Sequence, residues 1–345
     1  MEPLHYWHVT KFELQFTPMK YLRKNLSTLL KIIVTIVALA LVLPQVDLQA
    51  IGNILIKANW TWVIIGFLLF NASLVVRAYR WFLLLRGLGV EMTFRRLVVL
   101  YVVGNFFNSA LPSGFGGDVI RVVETARDVP TSTAAGTVIL DRLTGLIMLF
   151  VMSVLVLPWQ TAVLPSVLVW VIILGAVGGV IGGIVLIEGS LIRRFGSWLP
   201  GPLSPVGNGF LAKLLQAVQG CGWQAVLKAC GVSVLFNLML ASWWVASELA
   251  LGHSVSFLYN VYIMPLVSVP LLIPSFAGLG PRELMVPTLF AVVGLTAETA
   301  VSISLLVFAI TRLSGLFGAP IYLMSLFNKK SKPETDSQIN SVQAK

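Results

Sequence analysis

Long apolar runs alternate with short polar intervals along most of this chain. Six of the runs are predicted to cross a bilayer as helices, for which roughly 20 apolar residues are needed. They cover residues 26–43, 60–85, 131–159, 161–187, 226–251 and 301–327. None shows the period-2 alternation of a membrane-spanning strand. The pattern therefore predicts an all-α polytopic membrane protein with six full spans.

Two further apolar runs are interrupted, and each predicts a broken-helix hairpin. In the first hairpin, residues 97–111 are followed by Pro-Ser-Gly-Phe-Gly-Gly and then by a short polar helix up to Asp128. In the second, residues 257–273 are followed by Pro-Ser-Phe-Ala-Gly-Leu-Gly-Pro and by a short apolar return over residues 284–295. The residues expected to break the helices are Pro112, Gly116, Gly117, Pro274, Gly278 and Gly280.

Both hairpins are expected to be re-entrant, the first opening to the cytoplasmic side and the second to the outside. Irregular backbone at membrane depth needs protein or water to satisfy its polar groups, which favours a cavity beside each break. The N–H groups freed where each return helix starts form a candidate anion site. If the hairpins instead cross fully, the total rises from about eight helices to about ten crossings.

The two halves of the chain repeat these signals in the same order. Asp141-Arg142-Leu-Thr-Gly-Leu in the first half resembles Thr311-Arg312-Leu-Ser-Gly-Leu in the second, and each follows a glycine-containing Pro-Ser break. The halves cover about residues 26–159 and 161–327 and hold three full spans each. An odd number of spans inverts the second half relative to the first. Inverted repeats with broken helices are typical of transporters, whose substrate site lies at the repeat interface.

Composition and charge agree with a membrane protein and restrict its partners. Of 345 residues, 57% are hydrophobic and 11% are charged, whereas soluble domains carry about 25% charge. The net charge of +10 comes from Lys and Arg clustered in loops that the positive-inside rule places in the cytoplasm. We therefore expect membrane lipids as partners and no nucleic acid. The predicted location is the cell (inner) membrane, multi-pass, with both termini cytoplasmic.

The chain is expected to form one integral membrane domain, residues 26–327, between two polar ends. Residues 1–25 are interpreted as a cytoplasmic or interfacial segment, and residues 328–345 as a disordered cytoplasmic tail because they are polar and poor in apolar side chains. Cys221 and Cys230 lie close together near the start of one apolar run. No structural disulfide is expected from them.

Two arginines lie deep inside predicted spans. Arg142 and Arg312 are about 11 and 12 residues into theirs, on the order of 16–18 Å from the start at 1.5 Å per residue. An arginine at the centre of a membrane helix costs roughly 2.5–3.5 kcal/mol. Two interpretations stay open. The side chains pair with a buried acid or with freed carbonyls and lock the fold, or they face an aqueous cavity and bind a phosphate, which suits the guanidinium fork.

Other polar residues near the breaks complete a candidate set for binding a lipid headgroup. The set is Arg142, Arg312, Asp118, Arg121, Asp141, Arg282, Glu283, Asn105, Asn108 and Arg80. Asp118 with Arg121, and Arg282 with Glu283, are either local ion pairs or headgroup contacts. Asn105 and Asn108 share a helix face and either contact lipid or bridge helices.

Five side chains near the first hairpin have simpler expected roles. Arg77 and Arg80 are favoured to snorkel toward the cytoplasmic interface. The rings of Trp81, Phe106 and Phe107 are expected to line the walls beside the acyl chains.

Motifs of common enzymes are absent from the sequence. His5, His8 and His253 make no metal-ligand spacing, and neither His-Glu-x-x-His nor Gly-x4-Gly-Lys-Ser/Thr occurs. The sequence predicts no catalytic residue, no metal and no cofactor.

The motifs around the first hairpin resemble those of a known family. They are Arg77-Ala-Tyr-Arg80-Trp81, Gly104-Asn-Phe-Phe-Asn108, Leu111-Pro112 with Gly116-Gly117-Asp118 and Arg121, and Asp141-Arg142-Leu-Thr-Gly145. The chain is similar here to the transmembrane region of lysylphosphatidylglycerol synthases, over roughly residues 26–327, and to stand-alone members of that superfamily without the aminoacyl-transferase domain. The resemblance implies a flippase-like domain that moves a lipid between leaflets, and leaves phospholipid, polyprenyl-phosphate glycolipid and hopanoid-type substrates open.

The predicted function is an integral membrane lipid translocase that moves an anionic or phosphate-bearing lipid between leaflets. One alternative is a lipid-binding scaffold or regulator of a lipid or glycolipid pathway, with a lipid- or glycan-modifying enzyme as its partner. It predicts a dry, packed interface around Arg142. The other alternative is a membrane-embedded transferase, for which Asp118 and Asp141 are the candidate acid–base pair.

Overall fold

The computed structural model describes residues 33–110, 115–160, 164–196, 209–273, 275 and 279–330, and the regular structure in these ranges is helical. The helices are α1 (Ile33–Val42), α2 (Leu48–Ile56), α3 (Trp60–Gly87), α4 (Phe94–Ala110), α5 (Gly116–Thr125), α6 (Thr131–Val156), α7 (Ser166–Glu188), α8 (Ser190–Gly196), α9 (Phe210–Gly220), α10 (Gly222–Ala250), α11 (Phe257–Ser268), α12 (Pro281–Ala291), α13 (Ala297–Leu316) and α14 (Gly318–Lys330). Short 3₁₀ turns follow α1, α6 and α11.

Five stretches of the described chain are long and apolar enough to cross a membrane. They are Trp60–Gly87, Thr131–Trp159, Ser166–Glu188, Gly222–Ala250 and Ala297–Met324. The sixth predicted span, residues 26–43, appears as the helix Ile33–Val42, and its start lies outside the described residues. The predicted all-α polytopic fold is confirmed. The predictions for residues 1–25 and 331–345, and for the breaks at Pro112, Pro274 and Gly278, also lie outside the described residues.

Helices α3 and α10 form the central pair of the bundle and run antiparallel along their whole length. At one end, the Asn59 N–H donates to the Ala250 carbonyl at 2.7 Å. At the other end, Gly87 approaches Ala225 and the Cys221 carbonyl so closely that a Cβ would collide with both. The two helices hold the same position in the two halves of the chain. Their opposite directions are the geometry of an inverted repeat.

The first hairpin consists of α4 and α5, which pack against each other. An Arg96–Asp128 ion pair of 2.6 Å joins the start of α4 to the residues after α5. Near the tip, Gly104 faces Gly117, and the Asn108 side-chain oxygen accepts from the Gly117 N–H at 2.7 Å. The absence of a Cβ on both glycines lets the two backbones touch.

The second hairpin consists of α11 and α12 and lies at the other end of the central pair. The Tyr259 hydroxyl donates to the Leu289 carbonyl and joins its two arms. The first hairpin begins just after the end of α3, and the second just after the end of α10. Because α3 and α10 are antiparallel, the two hairpins enter the bundle from opposite ends, as the inverted repeat predicts.

Each hairpin packs against the long helix that follows the hairpin of the other half. On the first hairpin, Asn105 donates to the Ser314 hydroxyl of α13 at 3.4 Å. On the second, the Tyr262 carbonyl accepts from the Ser153 hydroxyl of α6. Exchanging the two halves maps one helix pair, α4 with α13, onto the other, α11 with α6. The hairpins therefore lie between the halves, at the repeat interface.

Two predicted boundaries need correction. The interval between the predicted spans 161–187 and 226–251 contains α9, which buries Leu215 and Val218 and packs on α6, where Gly136 leaves room for it. The predicted span 301–327 begins four residues earlier, at a Thr296 N-cap, and is interrupted at Phe317. Pro320 explains the interruption because it lacks an N–H and its ring crowds the carbonyl four residues back.

The opposed hairpins predict opposite membrane sides for two exposed loop residues. Glu91 lies between α3 and α4, and Ser254 lies between α10 and α11. With Cys221 and Cys230 replaced by alanine, we expect Glu91→Cys and Ser254→Cys to react with a membrane-impermeant maleimide from opposite faces of the membrane. Labelling of both from one face would contradict the inverted arrangement.

Candidate functional site

A cavity of about 850 Å³ lies between the hairpins and helices α3, α6, α10 and α13. The charged residues among its described lining are arginines and aspartates. They are Arg77, Arg80, Arg121, Arg142, Arg282, Arg312, Asp118 and Asp141. Six positive charges against two negative ones give this lining a net charge of +4. Such a cavity attracts anions, and its low-dielectric walls strengthen the attraction.

Asp141, on α6, is the centre of a buried ion-pair network that joins four helices. Its carboxylate accepts from Arg80 Nε of α3 at 2.7 Å and from Arg121 Nη1 of α5 at 3.0 Å. The Tyr101 hydroxyl of α4 also donates to it. The side chains of Asp141, Arg80 and Arg121 are at most 5% exposed. Charges removed from water to this extent are tolerated only with such complete pairing.

The predicted snorkelling of Arg80 is wrong. Its guanidinium turns into the bundle toward Asp141 rather than along the helix toward the interface. It also donates to the Ser233 hydroxyl of α10. For this guanidinium, pairing with a carboxylate 61 residues further along the chain is more favourable than hydration at the interface. The sequence of a single helix cannot indicate such a partner.

A second aspartate extends the network to the edge of the cavity. Asp118 accepts from Arg121 Nη2 with one carboxylate oxygen and pairs with Arg142 Nε through the other. We call the alternating series Arg80, Asp141, Arg121, Asp118 and Arg142 the charge ladder. Arg80, Asp141 and Arg121 are buried and the side chain of Asp118 is 15% exposed, while that of Arg142 is 36% exposed. The Arg142 guanidinium lies over the Phe115 ring at 4.8 Å. The ladder therefore ends on a cation at the cavity surface.

Arg312 occupies the corresponding position in the second half of the repeat. Its Nη1 donates to the Asn108 carbonyl at 2.7 Å, and its guanidinium lies over the Phe308 ring at 4.7 Å. The pairing expected in the first interpretation and the cavity expected in the second are therefore both present, and phosphate binding stays a prediction. Arg142 contacts an acid and Arg312 a carbonyl at the end of a broken helix, and both line the cavity.

Asn105 and Asn108 bridge helices and also line the cavity. Asn105 reaches Ser314 of α13, and Asn108 joins the two arms of the first hairpin through Gly117. The Gly117 N–H is satisfied by Asn108, and the Gly280 N–H by Glu283 at 2.7 Å. Guanidinium groups, rather than these two helix-start amides, are therefore the donors presented to a ligand.

Arg282 and Glu283 form a local ion pair on the second hairpin. Arg282 Nη2 donates to Glu283 at 2.9 Å, and the Ser304 hydroxyl donates to the same carboxylate oxygen at 2.9 Å. Arg282 lines the cavity, whereas Glu283 lies outside its described lining. Gly280 caps this helix with φ of +102°, a conformation that glycine adopts far more readily than other residues.

A sequence model of the lysylphosphatidylglycerol synthase TM region matches residues 28–318. The chain belongs to this family. A UPF0104 membrane protein of Pyrococcus horikoshii is 23% identical over 306 residues, which cover 80% of the chain and 90% of that protein. A UPF0104 membrane protein of Methanocaldococcus jannaschii is 29% identical over 134 residues, covering 37% of the chain and 40% of that protein's length. No solved structure matches the chain.

Two cavity residues were misjudged or missed by sequence reasoning. Arg77 was expected to snorkel but faces the cavity, with its guanidinium 5.6 Å from the Tyr101 ring and 5.2 Å from the Phe236 ring. Tyr101 was not considered, although it contacts the charge ladder. One signal was available: Arg77 and Arg80 are three residues apart and share a helix face.

The walls of the cavity differ from the prediction. Trp81 is fully buried, and its indole N–H donates to Thr137 at 3.2 Å. Phe106 and Phe107 lie outside the described lining, and Phe107 packs on Tyr322. The apolar walls instead combine other aromatic rings, among them Phe70, Phe236 and Phe308, with aliphatic residues that are exposed on the surface. The exposed aliphatic residues are Val119, Val123, Ile139, Leu271 and Leu272.

The described residues contain no group of three or more His, Cys, Asp and Glu side chains that could hold a metal ion. Cys221 and Cys230 are both free thiols. The chemistry that the site presents is thus that of guanidinium groups, amides and paired carboxylates.

Proposed function

We propose that the chain is a lipid translocase that moves an anionic or phosphate-bearing lipid between the leaflets of the cell membrane. The observation that carries this proposal is the cavity with six arginines and two aspartates at the interface of an inverted repeat. Broken helices whose tips meet near such an interface are typical of substrate sites in transporters. Membership of the family agrees with this function without specifying it.

The headgroup phosphate is proposed to contact Arg142 and Arg312. They occupy matching positions in the two halves, and both line the cavity. A guanidinium can donate two parallel hydrogen bonds to a phosphate. Because one arginine belongs to each half, rocking of the halves would pass the phosphate from one to the other and so change the side to which it is exposed.

The acyl chains are proposed to remain in the surrounding lipid. Val119 and Val123 of α5 and Ile139 of α6 line the cavity and are 58%, 51% and 43% exposed. An apolar rim that continues onto the membrane-facing surface lets tails stay in hydrocarbon while the headgroup enters. A translocase of this kind has to shield only the polar part of its substrate.

The orientation is proposed from the distribution of basic residues. Arg95 and Arg96 at the start of the first hairpin lie at the same end of the central pair as Lys228 near the start of α10. By the positive-inside rule this end is cytoplasmic. The proposal keeps the N- and C-termini on that side, as the sequence predicted.

The two alternatives have less support. A scaffold would favour packed side chains around Arg142, but a cavity lies there. A transferase would need Asp118 or Asp141 to exchange a proton with its substrate. All four of their carboxylate oxygens accept from or pair with arginine, so neither carboxylate has an unpaired oxygen to present to a substrate.

Flipping by purified protein in liposomes tests the proposal. Arg142→Gln and Arg312→Gln are each expected to slow transfer of a fluorescent anionic phospholipid by about tenfold or more, since a hydrogen bond to a charged group contributes roughly 1.5–3 kcal/mol. Arg86→Gln is the matched control. Arg86 lies on α3, is exposed and stacks on Phe82 outside the described lining of the cavity.

Each outcome has a defined consequence. Wild-type transfer rates in both arginine variants contradict the proposal. Lipid binding without any transfer by the wild-type protein supports the scaffold, and a chemically altered lipid supports the transferase.

A further inference from the structure

Arg77 is a cation that faces the cavity without a counter-ion. No hydrogen bond or ion pair joins it to a described residue, and its half-buried side chain includes an Nε atom that is fully buried without a partner. Aromatic rings surround its guanidinium instead, at 6.0 Å for Phe70, 5.6 Å for Tyr101 and 5.2 Å for Phe236. The other cavity arginines each have a hydrogen bond or ion pair to oxygen.

The charged groups nearest to Arg77 raise the free-energy cost of burying its guanidinium. Arg80 lies over the same Phe236 ring at 5.6 Å, and Arg121 lies over the same Tyr101 ring at 4.2 Å. Three guanidinium groups thus crowd around two rings. The nearby carboxylate, Asp141, already accepts from both of the other two. Like charges in a low-dielectric site repel strongly, so a further negative charge is needed beside Arg77.

The balance of the whole site indicates how much negative charge is missing. The charge ladder has three arginines and two aspartates and carries a net charge of +1. Arg282 is balanced by Glu283. Arg77 and Arg312 add two more, so the described groups in and around the cavity sum to +3. A phosphodiester headgroup with a single negative charge would leave most of this excess uncompensated.

We propose that Arg77 is the headgroup-discriminating residue of this cavity, and that the cavity selects a lipid whose headgroup carries at least two negative charges, as a terminal phosphomonoester or a diphosphate. This rests on the proposed function and specifies its substrate class. The aromatic rings hold the guanidinium by cation–π contacts and leave its terminal N–H groups for the extra phosphate oxygens. A phosphodiester lipid satisfies Arg142 or Arg312 but gives Arg77 nothing to pair with.

Binding to the full-length protein in detergent tests the inference. The probes are short-chain phosphatidic acid, phosphatidylglycerol and phosphatidylcholine at pH 8, with inorganic pyrophosphate as a probe without acyl chains. Wild-type protein is expected to bind phosphatidic acid about tenfold more tightly than phosphatidylglycerol, the ratio that one extra charge-assisted contact provides. Phosphatidylcholine, which has no net charge, is expected to bind least.

Substitutions at position 77 test whether Arg77 causes the preference for phosphatidic acid over phosphatidylglycerol. Arg77→Gln is expected to bring the affinities for the two anionic lipids to within about twofold of each other, because it weakens binding of phosphatidic acid more than binding of phosphatidylglycerol. Arg77→Lys keeps the positive charge and is expected to retain part of the preference, which also shows that the position tolerates substitution. Arg86→Gln, outside the described lining, is expected to behave as wild type.

The outcomes separate this inference from the proposed function. Equal affinity of the wild-type protein for phosphatidic acid and phosphatidylglycerol, or an undiminished preference in Arg77→Gln, overturns the inference but not lipid translocation. If pyrophosphate binds as tightly as phosphatidic acid, the cavity is a binding site for a soluble phosphate. That result overturns the proposal of a lipid substrate. Failure to bind or transfer any lipid overturns the proposed function itself.

Discussion

Asp141→Asn is expected to destabilise the protein by about 3–5 kcal/mol, the effect of removing one partner of a buried ion pair. The carboxylate of Asp141 holds Arg80 and Arg121, and Tyr101 donates to it as well. An asparagine has one acceptor oxygen and no charge, so two buried guanidinium groups would lose their shared counter-ion. Helices α3, α4, α5 and α6 meet at this one side chain, and its loss loosens the first hairpin as a unit.

The measurement is the midpoint of thermal unfolding in detergent, compared with that of Glu248→Gln. Glu248 is also a buried acid on a long helix, but its contact is a neutral one, with the Asn260 side-chain amide at 3.1 Å. No described cation pairs with Glu248, and a glutamine keeps its acceptor oxygen. The control is therefore expected to change stability by less than about 1 kcal/mol. Equal shifts in the two variants would show that the charge ladder is not what makes Asp141 important.

Gly117→Ala is the second change with a large expected effect, because it would force the first hairpin apart. A Cβ on Gly117 would collide with the Gly104 carbonyl oxygen and lie 2.8 Å from the Asn108 amide nitrogen. Backbone cannot move aside as a flexible side chain can, so the cost is expected to reach or exceed the roughly 1–3 kcal/mol of ordinary overpacking.

The same change is expected to abolish lipid transfer. Asn108 joins the hairpin arms through the Gly117 N–H, and its carbonyl positions Arg312 of the other half. Moving Asn108 therefore disturbs the arginine that lies 204 residues away in the chain. Lipid transfer in liposomes and the unfolding midpoint in detergent are measured on the same preparations.

Gly231→Ala provides the matched control, since it is the same substitution in the middle of α10. No atom lies within 4 Å of a Cβ added there, and alanine favours a helix over glycine by about 0.5–1 kcal/mol. The control is expected to raise the unfolding midpoint, whereas Gly117→Ala lowers it. A midpoint for Gly117→Ala at or above that of the wild type would contradict the close packing of the hairpin.

The largest structural features of this protein follow from its sequence alone. Long apolar runs must form helices in a membrane because every backbone polar group needs an internal partner there, and glycine and proline interrupt them at fixed places. Each half holds three full spans, an odd number, so the repeated Arg142 and Arg312 motifs had to run in opposite orientations. The antiparallel α3 and α10 show this inversion, and α5 begins at Gly116, one of the residues predicted to break the first hairpin.

The local sequence pattern could not reveal which charged side chains contact each other in the folded protein. Arg80 finds Asp141 across 61 residues, Arg121 finds it across 20, and Arg312 finds the Asn108 carbonyl across 204. These contacts depend on how the two halves pack against each other, and a single helix read by itself suggested only that Arg80 would reach toward water. The sequence placed Arg142 and Arg312 deep in predicted spans, but the tertiary structure decided how the six arginines of the described cavity lining divide between paired positions and an excess beside Arg77. The physical reason is that the energy of a buried charge depends on its neighbours in space, whereas the energy of forming a membrane helix depends mainly on its neighbours in the chain.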